Sequence, residues 1–162
     1  MGQAMDAFVA DWEWENGNTV KCLEAMPDGK LDMAPHEKSM TLHRLAWHLC
    51  EAERWFVAEA LGVEVPGENP VPRENPAPNV AAVVAARKAS HASLVSAVRR
   101  KDDAWLAEKV EFLGMNVPRR SALDIMIRHE VHHRGQLSVY LRLASVNVPS
   151  VYGPSADDPG GR

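Results

Sequence analysis

Cysteine is scarce in this sequence, which contains only Cys22 and Cys50 among 162 residues. A disulfide scaffold is unnecessary at this length, so both thiols are expected to be reduced. Long apolar runs are missing too, because none approaches the roughly 20 residues needed to span a bilayer. The N-terminus carries acids and lacks the basic and then apolar order of a signal peptide. We therefore expect a cytoplasmic protein without a membrane partner.

An excess of positive charge is also absent, since the formal net charge is −4. Nucleic-acid binding through a basic surface is therefore not expected. Hydrophobic residues make up 46% and charged residues 25% of the chain, as in an ordinary soluble globular protein. Residues 1–162 are enough for a single domain with a real hydrophobic core.

Four long segments carry apolar residues at spacings of three and four, the periodicity of a helix with one buried face. They cover residues 3–26, 39–61, 79–100 and 121–144, and Gly62 is a natural stop for the second. Asn79 is expected to cap the third helix, and Ser121 the fourth, in an arrangement close to a capping box with Asp124. Together the segments predict an all-α fold, a four-helix bundle.

The connections between these helices carry most of the proline and glycine. Residues 62–78 hold five of the eleven prolines, which excludes a helix and predicts a long surface connection. A short helix is expected at residues 102–110, followed by an extended or hairpin-like excursion around Gly114. Residues 147–162 are predicted to form a non-helical tail.

The predicted fourth helix contains the sequence RHEVHHRGQLSVYLRL, in which His129 to His133 read H-E-x-x-H. Positions four apart on a helix differ by about 40° around its axis, so His129 and His133 can reach one metal ion. His132 lies about 100° from His133 and can hardly join them. The pair belongs to a stripe predicted to face the core, with Ala122, Met126, Leu137, Tyr140 and Ala144. Two such histidines would otherwise need two separate polar partners, which favours a metal site over hydrogen-bonded core histidines.

A zinc site needs at least three protein ligands, so a third is expected from another helix. His48 is the best candidate because it lies at the edge of the second helix's apolar stripe. His91, on the apolar side of the third helix, comes second, whereas His36 and His43 look peripheral. Glu51, one turn beyond His48, is either a fourth ligand, a partner of a ligand or, more simply, an exposed surface acid.

The H-E-x-x-H pattern is typical of zinc peptidases, but the other residues of a peptidase site are missing. One class takes its third ligand from a downstream glutamate, and no glutamate follows Glu130. The other class needs H-E-x-x-H-x-x-G-x-x-H, and here Gln136 and Val139 occupy the positions of its glycine and final histidine. A ferritin-like di-iron site would need a second Glu-x-x-His motif, which the sequence lacks. Neither a peptidase nor a di-iron protein is therefore expected.

Several polar residues have open roles. Asn16 falls on the first helix's apolar stripe, where a buried amide needs hydrogen-bond partners. It either lines a pocket or links helices. Glu130 is a base toward water or, more simply, a salt-bridging surface acid, and Arg134 is expected to pair with an acid on a neighbouring helix. Gly135 is costly inside a helix unless a close contact requires it.

The chain resembles the DinB-like family of bacterial metal-binding proteins in four stretches that together cover nearly its whole length. These stretches are WEWENGNTVKCLEAMP, LAWHLCEAERWF, HHRGQLSVYLRL and VPSVYGPSADD. The resemblance implies a four-helix bundle with two long crossovers, for which residues 62–78 and 110–120 have suitable lengths. It also implies a metal site formed by His48, His129 and His133, with zinc or nickel as the divalent ion and water completing the coordination.

Characterised members of the wider superfamily use low-molecular-weight thiols, so the resemblance implies a metal- and thiol-dependent S-transferase. A metal ion with three neutral ligands keeps its positive charge and an open position, which favours the thiolate of a thiol or activates water. The implied partners are a small-molecule thiol and an electrophile. The alternative is a non-enzymatic, stress-associated metal-binding bundle, so enzyme activity stays open at this point. The aromatic-rich first helix, with Trp12 and Trp14, offers a surface for a homodimer.

Overall fold

Helices account for most of the residues that the computed structural model describes, which are residues 2–160. The helices span Gln3–Glu24 (α1), Leu42–Arg54 (α2), Val80–Val98 (α3), Asp103–Ala107 (α4) and Arg119–Leu143 (α5). α1, α2, α3 and α5 correspond to the four predicted long helices, and α4 corresponds to the predicted short one. The all-α fold expected from the apolar periodicity is confirmed.

A two-stranded hairpin lies between α4 and α5, where the sequence predicted an extended or hairpin-like excursion. Strand β1 (Lys109–Phe112) pairs antiparallel with β2 (Met115–Pro118). The turn consists of Leu113 and Gly114, with φ angles of 50° and 78°. A positive φ suits glycine but is uncommon for leucine, and Leu113 presents an exposed apolar side chain at the hairpin tip.

Side-chain caps start α2 and α3. The hydroxyl oxygen of Thr41 accepts a hydrogen bond from the backbone N–H of Arg44 at 3.1 Å. The side chain of Asn79 accepts one from the N–H of Ala82 at 2.9 Å, so the predicted cap of α3 is confirmed. Each cap satisfies a backbone donor that the first helical turn leaves unpaired.

The predicted cap at Ser121 was wrong, because α5 begins two residues earlier, at Arg119. Strand β2 ends at Pro118 and continues directly into the helix without a side-chain cap. The backbone N–H of Arg119 donates to the carbonyl of Glu108 at 2.9 Å, across the open end of the hairpin. Strand pairing therefore determines where this helix starts.

Helix α2 does not end at Arg54 but continues as a π-helical segment over Trp55–Ala60. Gly62, with a φ of 64°, follows the end of this segment, so it is the helix stop that the sequence predicted. The wider turn of a π-helix shifts the side chains that follow relative to a regular α-helix, and such segments are frequent at functional sites. This segment begins at Trp55, about two helical turns after His48.

Each long helix packs mainly against two of the other three. α1 contacts α3 and α5, and α2 also contacts α3 and α5, so α1 and α2 lie diagonally across the bundle. Residues 25–41 and 99–118 therefore make the connections that cross the bundle. The proline-rich connection, which the sequence suggested as a crossover, instead joins the neighbours α2 and α3.

Two apolar clusters form the core, one at each end of the bundle. One contains Met5, Phe8, Trp12, Phe56, Leu94 and Met126, and the other contains Leu23, Leu45, Trp47, Val83, Leu137 and Leu141. On each of the four long helices, charged or polar side chains are also buried. They lie, along the sequence, between the residues of one apolar cluster and those of the other. These residues, Glu15, Thr19, Glu53, Arg87, Glu130 and Arg134, are called the polar layer below.

Among residues 2–160, no helix combines the length and the apolar character that a membrane crossing requires. The tail from residue 147 to residue 160 is non-helical, as predicted, while residues 161 and 162 lie outside the described part of the chain.

Candidate metal centre

Three histidines from two helices meet at the seam between α2 and α5. His48 comes from α2, and His129 and His133 come from consecutive turns of α5. A ring nitrogen of each lies within 4.8 Å of a ring nitrogen of the other two. The Nε2 atoms of His48 and His129 are 3.2 Å apart, and the three ring centroids are 4.4 to 5.0 Å apart. These residues are called the histidine cluster below.

The donor set of the histidine cluster fits a divalent transition-metal ion. Two nitrogens that each lie 2.0–2.1 Å from a tetrahedral zinc ion are about 3.3–3.4 Å from each other. The separation of 3.2 Å between the Nε2 atoms of His48 and His129 is close to that value. Imidazole nitrogens are suitable ligands for zinc and nickel.

Burial lowers the pKa values of all three histidines, which keeps the imidazoles neutral. For His129, burial and the neighbouring histidines His133, His48 and His132 lower the pKa to about 4. For His48, burial lowers the pKa more than the carboxylate of Glu51 raises it. For His133, burial also lowers the pKa, although a hydrogen bond with Gln136 opposes it. A cluster that resists protonation in this way is prepared to bind a cation.

The histidines of α5 lie at the edge of the core rather than in its centre, contrary to the predicted stripe. Ala122, Met126, Leu137, Tyr140 and Ala144 are buried as expected. At the level between Met126 and Leu137, however, the buried side chains are Glu130 and Arg134, and His129 and His133 are half-buried. The rotation of α5 directs its histidines toward α2 and its charged pair into the bundle.

Glu130, the acid of the H-E-x-x-H pattern, belongs to the polar layer and not to the surface. Its side chain is only 4% exposed, and its Oε1 accepts hydrogen bonds at 2.6 Å from both Arg87 and Thr19. The interpretation of Glu130 as a surface acid was therefore wrong, although it does form the expected salt bridge. The other carboxylate oxygen, Oε2, is buried and has no hydrogen-bond partner among the described residues, so the carboxylate lies in the bundle interior and not in solvent.

Arg87 connects three helices through the polar layer. Its guanidinium donates to Glu130 of α5, to Asn16 of α1 at 2.8 Å and to the carbonyl of Leu49 of α2 at 2.9 Å. It also lies 3.1 Å from Glu53 of α2. Burial alone would lower the pKa of Arg87, but the carboxylates of Glu130 and Glu53 raise it above its usual range. Asn16 therefore links helices, and it also lines a second cavity, so both roles that its sequence position left open apply.

Arg134 pairs with an acid on a neighbouring helix, as the sequence predicted. Its guanidinium donates to a carboxylate oxygen of Glu15 on α1 at 2.6 Å and to the hydroxyl of Thr19 at 3.2 Å. The phenol of Tyr152, in the C-terminal tail, contacts both Arg134 and Glu15. The tail is thus attached to the polar layer.

Two of the alternative ligands have other partners. The Nδ1 atom of His91 lies 2.8 Å from Glu53, and the His91 ring packs edge-on against Trp12. Glu51 accepts a hydrogen bond from Arg44 at 2.6 Å and has an oxygen 3.5 Å from Nδ1 of His48, with a side chain only 10% exposed. Its interpretation as an exposed acid was wrong, and it is instead the partner of a candidate ligand.

The remaining peripheral histidines and the cysteines lie outside the histidine cluster. The Nε2 of His43 is 2.7 Å from the carbonyl of Ala77. Both cysteines are free and buried, and burial raises the pKa of Cys50 to about 12 and also raises that of Cys22. Neither thiol is prepared to act as a nucleophile.

A cavity of about 340 Å³ opens beside the histidine cluster and is called the histidine cavity below. His48 and His129 form part of its wall, and the π-helical segment contributes Trp55 and Phe56. The hairpin tip contributes Leu113, and the proline-rich connection contributes residues 69, 71 and 73. Its volume lies at the small end of the range for ligand sites in proteins.

Sequence reasoning missed the polar layer and the walls of the cavity. Arg87 falls on the α3 stripe between Val84 and Leu94, and Glu53 falls on the α2 stripe between Leu49 and Phe56. Charged residues at apolar positions of two helices were the available signal for a buried network. The walls of the cavity gave no comparable signal, because they come from three separate parts of the chain: the end of α2, the proline-rich connection and the hairpin tip.

The fold and the site together define a helical bundle with a three-histidine cluster between its second and last long helices. The chain belongs to the DinB family, whose family model matches residues 1–160. The uncharacterized protein YrdA of Bacillus subtilis strain 168 is 32% identical over 161 residues, which are 98% of this chain and 93% of YrdA.

Solved structures agree with this assignment. A DinB-like protein from Bacillus cereus ATCC 10987 superposes with a TM-score of 0.81 at 26% identity, over 91% of this chain and 97% of that one. A DinB-like protein from Bacillus subtilis, YjoA, has a TM-score of 0.72 at 20% identity, over 90% of this chain and 96% of that one. The second likeness bears on the fold alone.

Proposed function

We propose that the protein binds a divalent metal ion, zinc or nickel, through His48, His129 and His133. The observation that carries this proposal is the convergence of three neutral imidazoles from two helices, with ring nitrogens within 4.8 Å of one another. An oxygen of Glu51 lies 3.5 Å from Nδ1 of His48, a position close to that from which carboxylates orient metal-binding histidines. The amide oxygen of Gln136 lies 2.7 Å from Nδ1 of His133.

We further propose that the site serves a thiol-dependent S-transferase reaction. A divalent ion with three neutral ligands retains its full charge and would favour the thiolate of a low-molecular-weight thiol at neutral pH. The protein's own thiols are buried and protonated, so the nucleophile would come from outside the chain. The histidine cavity then holds the electrophile next to the thiol, and its walls exclude part of the water.

The alternative function is a metal-binding bundle without enzyme activity, in which the ion mainly joins α2 to α5. A fourth protein ligand closing the site would favour that function. Among residues 2–160, the group of ligating side chains contains the three histidines only, and it borders a cavity. An open site of this kind supports the enzymatic proposal, because catalytic zinc sites keep one position free.

Metal binding is tested by elemental analysis of untagged protein purified without added metal. We expect close to one zinc or nickel ion per chain, and His129→Ala should lose it. His36→Ala is the control, because His36 is exposed and lies outside the histidine cluster. Metal loss in both variants, or in neither, would contradict the proposed ligands.

The reaction is tested by following thiol consumption in the metal-loaded protein with a panel of electrophiles. Cysteine, glutathione, bacillithiol and mycothiol cover the small thiols, and activated alkenes, epoxides and alkyl halides cover the electrophiles. We expect consumption that disappears with a chelator and in His129→Ala but persists in His36→Ala. A protein that holds its metal but consumes no thiol would support the non-enzymatic alternative.

A further inference from the structure

The histidine cavity contains positive charge that no carboxylate of the described residues neutralises. Arg54 and Arg73 both line it, and neither forms a salt bridge within residues 2–160. Most other arginines in this part of the chain pair with an acid, so the two cavity arginines differ from the general pattern. The Nη1 atom of Arg54 is moreover buried without a hydrogen-bond partner. A buried guanidinium nitrogen without a partner costs free energy, which a bound acceptor would recover.

The acids at the cavity do not supply that acceptor. Glu51 is committed to Arg44 at 2.6 Å and to His48. Glu59 is exposed and forms no salt bridge with either cavity arginine. The charged residues that line the cavity are Arg54, Arg73, Glu51 and Glu59. Because Glu51 is already paired with Arg44, two guanidinium groups face one exposed carboxylate, a balance that favours an anion.

Much of the remaining wall is apolar. The indole of Trp55 packs edge-on against Phe56, with ring centroids 5.1 Å apart, and Phe56 in turn packs against the ring of His129. Trp55 and Leu113 are 36% and 66% exposed although both are large and apolar. Leu113 reaches the cavity from a hairpin turn, where its positive φ is unfavourable for leucine. An apolar ligand in the cavity would cover the exposed side chains of Trp55 and Leu113.

We infer that the histidine cavity binds a small organic acid, with its apolar body between Trp55 and Leu113 and its carboxylate on Arg54 and Arg73. Guanidinium groups suit this role because their paired N–H groups match the geometry of a carboxylate. Only the role of this ligand, as the electrophile that the thiol attacks, rests on the proposed function. The binding itself needs neither the metal nor the reaction.

The test uses a matched pair of probes, 2-naphthoate and its uncharged analogue 2-naphthamide, titrated calorimetrically into the full-length protein. We expect naphthoate to bind about tenfold or more tightly than naphthamide, the usual gain from a charged hydrogen bond. Arg54→Gln and Arg73→Gln should each remove most of that preference. Because Arg73 is exposed on a connection, its substitution should leave folding intact even if Arg54→Gln is unstable. Arg100→Gln, which removes the same charge from an exposed residue outside the cavity, should keep the preference.

The titrations are carried out with zinc-loaded and with chelator-treated protein, to separate the arginines from the metal. Preference for naphthoate in both samples supports the inference, and it would do so even if the protein failed to bind zinc. Preference in the zinc-loaded sample alone would mean that the carboxylate binds the ion, and would overturn the inference. Equal binding of the two probes, binding of neither, or equal loss of preference in Arg100→Gln would overturn it as well.

Discussion

The carboxylate of Glu130 accepts a hydrogen bond at 2.6 Å from Nη2 of Arg87, on helix α3, which lies diagonally across the bundle from α5. Both side chains are buried, and Thr19 donates to the same carboxylate oxygen. This pair ties the glutamate of the H-E-x-x-H sequence into the polar layer. The glutamate is part of the bundle interior, while the histidines on either side of it point toward α2.

Glu130→Gln should reduce stability while leaving metal binding unchanged. The amide keeps the shape but loses the charge that accompanies Arg87, so we expect a loss of about 1–3 kcal/mol in the free energy of unfolding. Urea denaturation measures the loss, and elemental analysis measures the metal content. Glu24→Gln is a matched control, because Glu24 pairs with Lys88 on the surface. It should lower the free energy of unfolding by less than about 1 kcal/mol. Full stability combined with abolished catalysis would instead make Glu130 a catalytic base.

Arg87→Met should be among the most destabilising substitutions in the chain. It leaves the buried carboxylates of Glu53 and Glu130 without their guanidinium, and breaking a buried ion pair typically costs about 3–5 kcal/mol. Equilibrium unfolding in urea tests this prediction. Arg99→Met, which breaks an exposed pair with Glu13, provides the comparison and should have little effect.

The polar layer should also make stability depend on pH through Glu53. Burial alone would raise the pKa of Glu53, but Arg87, His91 and Trp12 together lower it below 4.5. A carboxyl whose pKa is lower in the folded state contributes stability above its unfolded pKa and loses that contribution as the pH falls. We expect the unfolding midpoint in urea to fall with acidification below pH 4.5. Glu53→Gln should show a weaker dependence, and an identical dependence would contradict the role assigned to Glu53.

The affinity for zinc should decline less on acidification than the affinity of a site formed by histidines with ordinary pKa values. A histidine must be neutral to bind a metal, and protons compete only when the pH falls below its pKa. Burial and the adjacent histidines lower the pKa of His129 to about 4, and those of His48 and His133 also lie below 6.5. Affinity should therefore stay nearly constant down to pH 6.5 and decline at lower pH. Competition with a fluorescent zinc indicator from pH 8 to pH 5 measures it, and a steep decline starting above pH 7 would contradict the prediction.

Gly135→Ala should stabilise the protein. Gly135 lies inside α5, and a Cβ atom added there would meet no other atom of the described residues within 4 Å. Alanine in place of glycine in a helix interior gains about 0.5–1 kcal/mol. Gly17→Ala in α1, which also has open space, should give a similar gain. If Gly17→Ala stabilises and Gly135→Ala does not, the space at Gly135 is needed for a contact that the isolated chain lacks.

The expected homodimer surface on α1 is reduced to one of its two tryptophans. Trp12 is fully buried and its indole N–H donates to Glu53 at 2.8 Å, so it cannot contact a second chain. Trp14 is 56% exposed and packs against Tyr152 of the tail. The dimer itself stays a prediction, as does the organisation of residues 1–162 as a single domain.

Local sequence was sufficient for the elements of the fold and for one part of the candidate site. Apolar spacing identified the four long helices, and Asn79 and Gly62 marked helix ends through backbone requirements that act within a few residues. The four-residue separation of His129 and His133 placed both on one side of α5 by helix geometry alone. These features depend on neighbours along the chain, which a sequence displays directly.

Tertiary structure decided which side of α5 faces inward. Successive residues of a helix are about 100° apart, so the periodicity alone allowed either the histidines or Glu130 and Arg134 to occupy the core. Two buried charges are tolerable only because Arg87 and Glu15, from other helices, lie within 2.6 Å of them. The sequence by itself therefore determined the helices and the histidine pair. The packing of distant segments decided the burial of Glu130, the position of His48 and the cavity beside it, because partners for buried charges come from elsewhere in the chain.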